Sequence, residues 1–201
     1  MRFGRIGAIG IGIVAAGLAI GLRSIDGSSA AVEGFVVGAA RYAAWLGAGS
    51  VALAAANRRT TTDRRDGLEI LALLRGASPR SLAAARVAAT SMEAARAVLM
   101  PSLVVGLAVL ASAGTARAAL TRVMLLLVVM VFSLIVGLAL GSLATLADRL
   151  RPNGGRGFFL AVVIAPWAAL DLIGRGSFSV PGALGAVLSV GLDAIGLGSL
   201  A

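Results

Sequence analysis

The 201-residue sequence contains no cysteine, no histidine and no lysine. Without cysteine the chain forms no disulfide and offers no thiol nucleophile, and without histidine it lacks the commonest side chain for base catalysis. The same two absences remove the usual ligands of zinc, copper and haem iron, so we expect no metal site and no catalytic residue. Because lysine is absent, the chain also lacks a phosphate-binding loop of the G-x-x-x-x-G-K-[ST] type.

Charge is scarce as well. Charged residues make up 13% of the chain and hydrophobic residues 59%, whereas about a quarter of a typical soluble domain is charged. The mean hydropathy is +0.97, and long runs contain no charge at all, which indicates an integral membrane protein. Gly, Ala and Leu dominate without the alternation of barrel strands, so the fold class we expect is an all-α polytopic membrane protein in the lipid bilayer.

The net charge of +9 comes entirely from arginine. A basic chain is compatible with nucleic-acid binding, but membrane proteins concentrate arginine on their cytoplasmic side for topology. We therefore expect no nucleic-acid partner.

Six apolar runs predict a single transmembrane domain over residues 1–201 with six transmembrane helices. They extend over residues 4–22, 31–56, 97–113, 119–147, 158–173 and 180–201. The third run is the apolar half of a long interrupted helix that starts at Pro79, with a kink expected at Pro101. The first run also fits a cleaved signal peptide, but it is long for a signal core and we favour a retained helix.

Arginine is distributed unequally between the loops. In this layout twelve arginines fall on one side of the membrane and four on the other. By the positive-inside rule, both termini and the loop over residues 57–82 are cytoplasmic. The predicted location is the cytoplasmic (inner) membrane of a bacterium.

The cytoplasmic loop contains the longest charged segment, Asp63 to Leu82. With Asp63 as N-cap, its pattern predicts a short amphipathic helix from Arg64 to Arg75, ended by Gly76. Its polar face is expected to meet a soluble partner and carries Arg65, Asp66, Glu69 and Leu73. The opposite face is expected to anchor the helix against the ends of the spans and carries Leu68, Ile70, Leu71 and Leu74.

Six spans with a charged helix between the second and third resemble the permease subunits of ABC transporters of the ABC-2 exporter type. The matching residues are Asp63, Arg64, Arg65, Asp66, Gly67, Glu69, Leu71, Leu73, Leu74, Ser78 and Pro79. The resemblance implies that this segment is a coupling helix bound to a separate cytoplasmic ATPase subunit, which would hold ATP and magnesium. It also implies a second permease subunit, as a homodimer or a heterodimer, and export by alternating access.

Two other interpretations stay open at this point. The amphipathic helix also fits an interfacial helix that lies on the lipid headgroups. The whole chain also fits a non-transporting scaffold or assembly subunit that anchors a soluble cytoplasmic protein.

Ionisable residues within or near the spans are functional candidates, because a charge in the bilayer is costly. These residues are Glu33, Arg41, Asp171 and Asp193. Arg41 and Asp193 have no oppositely charged residue three or four positions away, so we expect them to pair with each other across helices or to line a polar path. Small-residue pairs such as Gly34 with Gly38 and Gly137 with Gly141 predict close helix packing.

The arginine distribution can be tested with reporter fusions. Fusions after Asn57 and after Asn153 should report the cytoplasm, and fusions after Asp26 and after Arg175 should report the outside. An external signal after Asn153 would contradict the six-span layout.

Overall fold

The computed structural model describes residues 29–56, 65–151, 154–175 and 178–200, and all regular structure within them is helical. In chain order there are α1 (Ser29–Tyr42), a π-helical segment (Ala43–Ala48), α2 (Gly49–Ala55), α3 (Leu68–Leu74), α4 (Pro79–Ala111), α5 (Ala116–Leu150), α6 (Gly155–Leu172), α7 (Val180–Ala194) and a 3-10 turn (Gly198–Leu200). The all-α prediction is confirmed. The predicted first span, over residues 4–22, lies outside the described ranges.

Within the described ranges, three helical stretches are long and apolar enough to cross a membrane: Val32–Ala55, Pro79–Ala111 and Ala116–Leu150. The protein is therefore a helical membrane protein, and a count of six spans stays a prediction. The predicted sixth span is too long at its end, since α7 stops at Ala194 and the chain turns at Gly196, whose φ is 74°. A positive φ does not continue a right-handed helix.

The frame of the bundle is the antiparallel hairpin of α4 and α5. Ser78 caps α4 by accepting a hydrogen bond from the Ser81 N–H at 3.1 Å, and Pro79 occupies the first turn. The helices have 33 and 35 residues, which is about 50 Å each, against a hydrocarbon thickness of about 30 Å. One end of the hairpin therefore extends beyond the lipid tails.

The helix α4 is not interrupted at Pro101, and the kink expected there stays a prediction. Pro101 is buried inside a single continuous helix. Proline removes one backbone hydrogen bond, but the surrounding helices bury this part of α4 and hold it in place.

Two glycines of α5 set the separation of the hairpin. A Cβ atom at Gly137 would lie 2.5 Å from the Ala95 Cβ, and one at Gly141 would lie 2.6 Å from the Ser91 Cα. The predicted close packing of this pair is confirmed. Gly38 has no atom of the described residues within 4 Å of its would-be Cβ, so the Gly34 and Gly38 pair does not mark a comparable contact in this part of the chain.

The first helical stretch packs against the hairpin through another glycine. The would-be Cβ of Gly47 lies 2.7 Å from the Ala97 carbonyl oxygen. The π-helical segment, which the sequence pattern did not predict, contains Gly47 and so coincides with this approach. The core around it contains buried aliphatic side chains of α1, α4 and α5, among them Val36, Val98 and Val136.

The two ends of the hairpin differ. At the end that joins the two helices, which we call the loop end, Arg122 is 4% exposed. Its Nη1 donates hydrogen bonds to the Val109 carbonyl at 2.8 Å and to the Ser112 Oγ at 3.3 Å. A guanidinium placed there donates to a carbonyl in the last turn of α4 and complements the partial negative charge at that helix end.

The opposite end, which we call the charged end, contains the start of α4 and the end of α5. The end of α2 and the start of α6 also lie there, because a Cβ at Gly155 would meet the carbonyls of Ala56 and Ala147. Charged side chains at this end of the hairpin include Arg86, Asp148 and Arg149.

The hairpin packing predicts the effect of one added methyl group. Gly141→Ala should lower the free energy of unfolding by about 1–3 kcal/mol, because its Cβ would meet the backbone of α4. Gly38→Ala adds the same methyl group in open space and should be neutral or slightly stabilising. Denaturation in detergent, followed by the loss of helical circular dichroism, compares the two variants. Equal stabilities would contradict a backbone contact at Gly141.

Candidate functional site

The candidate docking helix is shorter than the sequence pattern predicts. It begins after Gly67, whose φ is 68°, and covers seven residues as α3. The predicted single helix from Arg64 to Arg75 is therefore wrong, since the left-handed Gly67 breaks the backbone. Asp63 and Arg64 themselves lie outside the described residues. Arg65 and Asp66 precede the break, so they do not share the helical face of Glu69.

The apolar residues of α3 are unexpectedly accessible. No residue of the helix is buried, and the exposed fraction reaches 79% at Leu74 and 63% at Ile70. Leu71, expected in the anchor face, is 50% exposed, and Leu73 of the opposite face is 42% exposed. The expected anchoring by an apolar face is wrong in the described part of the chain, where the main neighbour of α3 is α4.

An ion pair holds α3 against α4. The Arg86 Nη2 donates to the Glu69 Oε2 at 3.3 Å, and the side chains are 14% and 29% exposed. Reasoning from the sequence assigned Glu69 to a partner and missed Arg86, because residues 17 apart share no local spacing. The pair fixes the direction of α3 relative to the hairpin.

A surface cleft lies beside this ion pair. Its volume is about 210 Å³, and its walls come from α4 and α5. The lining residues are Ala83, Arg86, Val87, Ser142, Thr145, Leu146, Asp148 and Arg149. Arg86 thus belongs to the cleft and to the ion pair, so α3 and the cleft form one surface at the charged end.

The structure places the intramembrane candidates in different surroundings. Glu33 is 7% exposed in α1, Arg41 is half-buried at the end of α1, and Asp193 is exposed near the end of α7. Asp171 belongs to α6, and its side chain is outside the described part. Both Arg41 and Asp193 are described, and no ion pair joins them, so the expected pairing within one chain is not found.

Two further results bear on the chemistry of the site. In the described ranges no three acidic side chains come together in a group that could hold a metal ion. Comparison of the chain with protein-family models, with curated proteins and with solved structures gave no match.

The ion pair predicts how firmly α3 is held. Because the chain has no cysteine, a single cysteine introduced at Leu74 can carry a spin label. Glu69→Gln should increase the label's mobility, and Glu69→Arg with Arg86→Glu should restore it. A partly exposed pair contributes about 0.2–1 kcal/mol, so the difference should fade in high salt.

The matched control is Asp66→Asn, which removes a carboxylate that precedes the Gly67 turn. This variant should leave the mobility of the label unchanged. If Glu69→Gln and Asp66→Asn behaved alike, the ion pair would not position α3.

Proposed function

We propose that this protein is the membrane-spanning permease subunit of an ATP-driven exporter, with α3 as the helix that docks a separate ATPase subunit. The observation that carries the proposal is the exposure of α3 at the charged end of the hairpin. Five apolar side chains of this seven-residue helix are exposed: Leu68, Ile70, Leu71, Leu73 and Leu74. A short apolar helix held outside a bundle fits a groove in a soluble partner.

The attachment of α3 supports a role in transmitting movement. Gly67 and Gly76 flank the helix with φ values of 68° and 84°, so the backbone changes direction at both ends. Between them, the Glu69–Arg86 pair connects the helix to α4. A force applied to α3 would therefore reach the hairpin through Arg86.

The proposed mechanism is alternating access. ATP binding would close the partner ATPases, their movement would pass through α3 into α4, and the spans would re-pack to open a pathway outward. Close packing at Gly137 and Gly141 would make α4 and α5 move together. ATP and magnesium would bind to the partner, and this chain would carry out no covalent step.

The second candidate is a non-transporting scaffold in the bacterial inner membrane. The same exposed surface of α3 favours it, since an apolar helix outside the bundle would anchor any soluble protein with a matching groove. The two candidates differ in whether the bound protein hydrolyses ATP under the control of α3.

Charged substitutions on α3 test the proposal. Ile70→Glu with Leu74→Glu should reduce recovery of a P-loop ATPase on the tagged chain at least about tenfold, because the carboxylates would be desolvated in the groove. The readouts are the identity of the bound subunit and the ATP hydrolysis of the complex in proteoliposomes. The variant's own elution volume in detergent should stay unchanged, since both residues are exposed.

Ala85→Glu is the matched control, because it adds a carboxylate to an exposed position of α4. It should retain the ATPase at the wild-type level. Recovery of a partner without a P-loop would favour the scaffold, and full ATP-driven activity in the Ile70 and Leu74 variant would exclude docking through α3.

A further inference from the structure

Two opposite charges lie on helices of the bundle, and no ion pair joins them. Arg41 lies in the last turn of α1 and is half-buried, and Asp193 lies in the last turn of α7 and is exposed. Placing either charged side chain within a bilayer costs free energy unless a counter-charge or water surrounds it. The depth of each residue along the hairpin determines which group can act as its counter-charge.

The depth of Asp193 follows from a glycine two residues before it. A Cβ at Gly191 would lie 2.8 Å from the Val128 Cγ1, so α7 touches α5 at this level. Two residues of helix rise by about 3 Å, which keeps Asp193 near the level of Val128. That level is about 9 Å deeper into the apolar part of α5 than Arg122.

The depth of Arg41 follows from the contact of Gly47 with the Ala97 carbonyl. The register of the hairpin, in which Ala95 packs on Gly137, sets Ala97 near the level of residue 135. Because α2 ends at the charged end, Arg41 lies on the other side of Gly47, about 9 Å toward the loop end. It therefore lies within about one helical turn of the level of Asp193.

The two residues also belong to the same side of the bundle. The Asp193 carboxylate lies beside Gly198, and Leu200 of the same 3-10 turn approaches Gly34 of α1, whose would-be Cβ is 3.8 Å from the Leu200 Cδ2. The segments that carry Arg41 and Asp193 are thus neighbours.

We propose that this face is the interface with a second copy of this chain, in which Arg41 of each copy pairs with Asp193 of the other. A two-fold axis along the membrane normal keeps the depth of every residue, so equal depths and opposite charges make the face self-complementary. The pairing removes two charges from lipid without any other partner. It deepens the proposed function by making the second permease subunit a second copy, and it rests on α1 and α7 lying within the bilayer.

The experiment uses the full chain in mild detergent and in lipid nanodiscs. Arg41→Asp alone and Asp193→Arg alone should each weaken the dimer at least about tenfold, since each places like charges together. Co-expression of the two variants with different tags should restore it, because both contacts of the mixed dimer then join an acid to an arginine. The readouts are co-purification of the two tags and the molecular mass in solution.

Two further variants make the result decisive. Arg175→Asp changes an exposed arginine after α6 and should leave the dimer unchanged. Arg41→Gln with Asp193→Asn removes both charges without repulsion and should give a folded chain with a weaker dimer. Circular dichroism monitors the folding of every variant.

The outcomes separate pairing between copies from pairing within one copy. The folded single variants could stay monomeric when mixed, while Arg41→Asp with Asp193→Arg in one chain restores the dimer. In that case the pair forms within one copy and the proposal fails. The proposal also fails if both single variants form a dimer as stable as that of the wild type. Because no ATPase and no transport enter this assay, its failure is distinct from a failure of docking at α3.

Discussion

The close approach of α4 and α5 at Gly137 and Gly141 is the contact on which the rest of the structure depends. In a bilayer the lipid tails are as apolar as the side chains, so helices associate through dense packing rather than through exclusion from water. Ser91 and Ala95 supply the small surface that the glycines require. The resulting hairpin is about 50 Å long, which exceeds the hydrocarbon thickness of about 30 Å, and α3 is attached to its charged end.

The narrow chemical repertoire of the chain explains the form of its polar contacts. With no lysine and no histidine, every side-chain cation is an arginine, which stays charged at all working pH values and presents several donors at once. Arg122 uses these donors on the end of α4, and Arg86 uses them on Glu69. The first contact closes the loop end of the hairpin, and the second fastens α3 to the charged end.

Some of this structure was predictable from the sequence, and the remainder has identifiable physical reasons. Uncharged runs gave the helical class, Ser78-Pro79 gave the start of α4, and the spacing of Gly137 and Gly141 gave the hairpin contact. The break at Gly67 was missed because glycine is tolerated inside a helix and its φ depends on the surrounding chain. The π-helical segment and the Glu69–Arg86 pair depend on packing between distant residues, for which local spacing contains no signal.

Charged residues at the charged end of the hairpin and at the level of Val128 differ in whether they are paired within the chain. At the charged end, Glu69 and Arg86 form an ion pair within the chain. Because water and salt screen a partly exposed pair, it contributes little to the free energy of unfolding. Its role is to define the direction of α3. At the level of Val128, where screening is weakest and an unpaired charge costs most, Arg41 and Asp193 are not joined within the chain. In a lone subunit that lies in a bilayer, both charges would then lack a counter-charge within the chain, which is costly. The proposed association through the face that carries both residues would remove that cost, and the proposed attachment of a soluble partner would take place at the charged end.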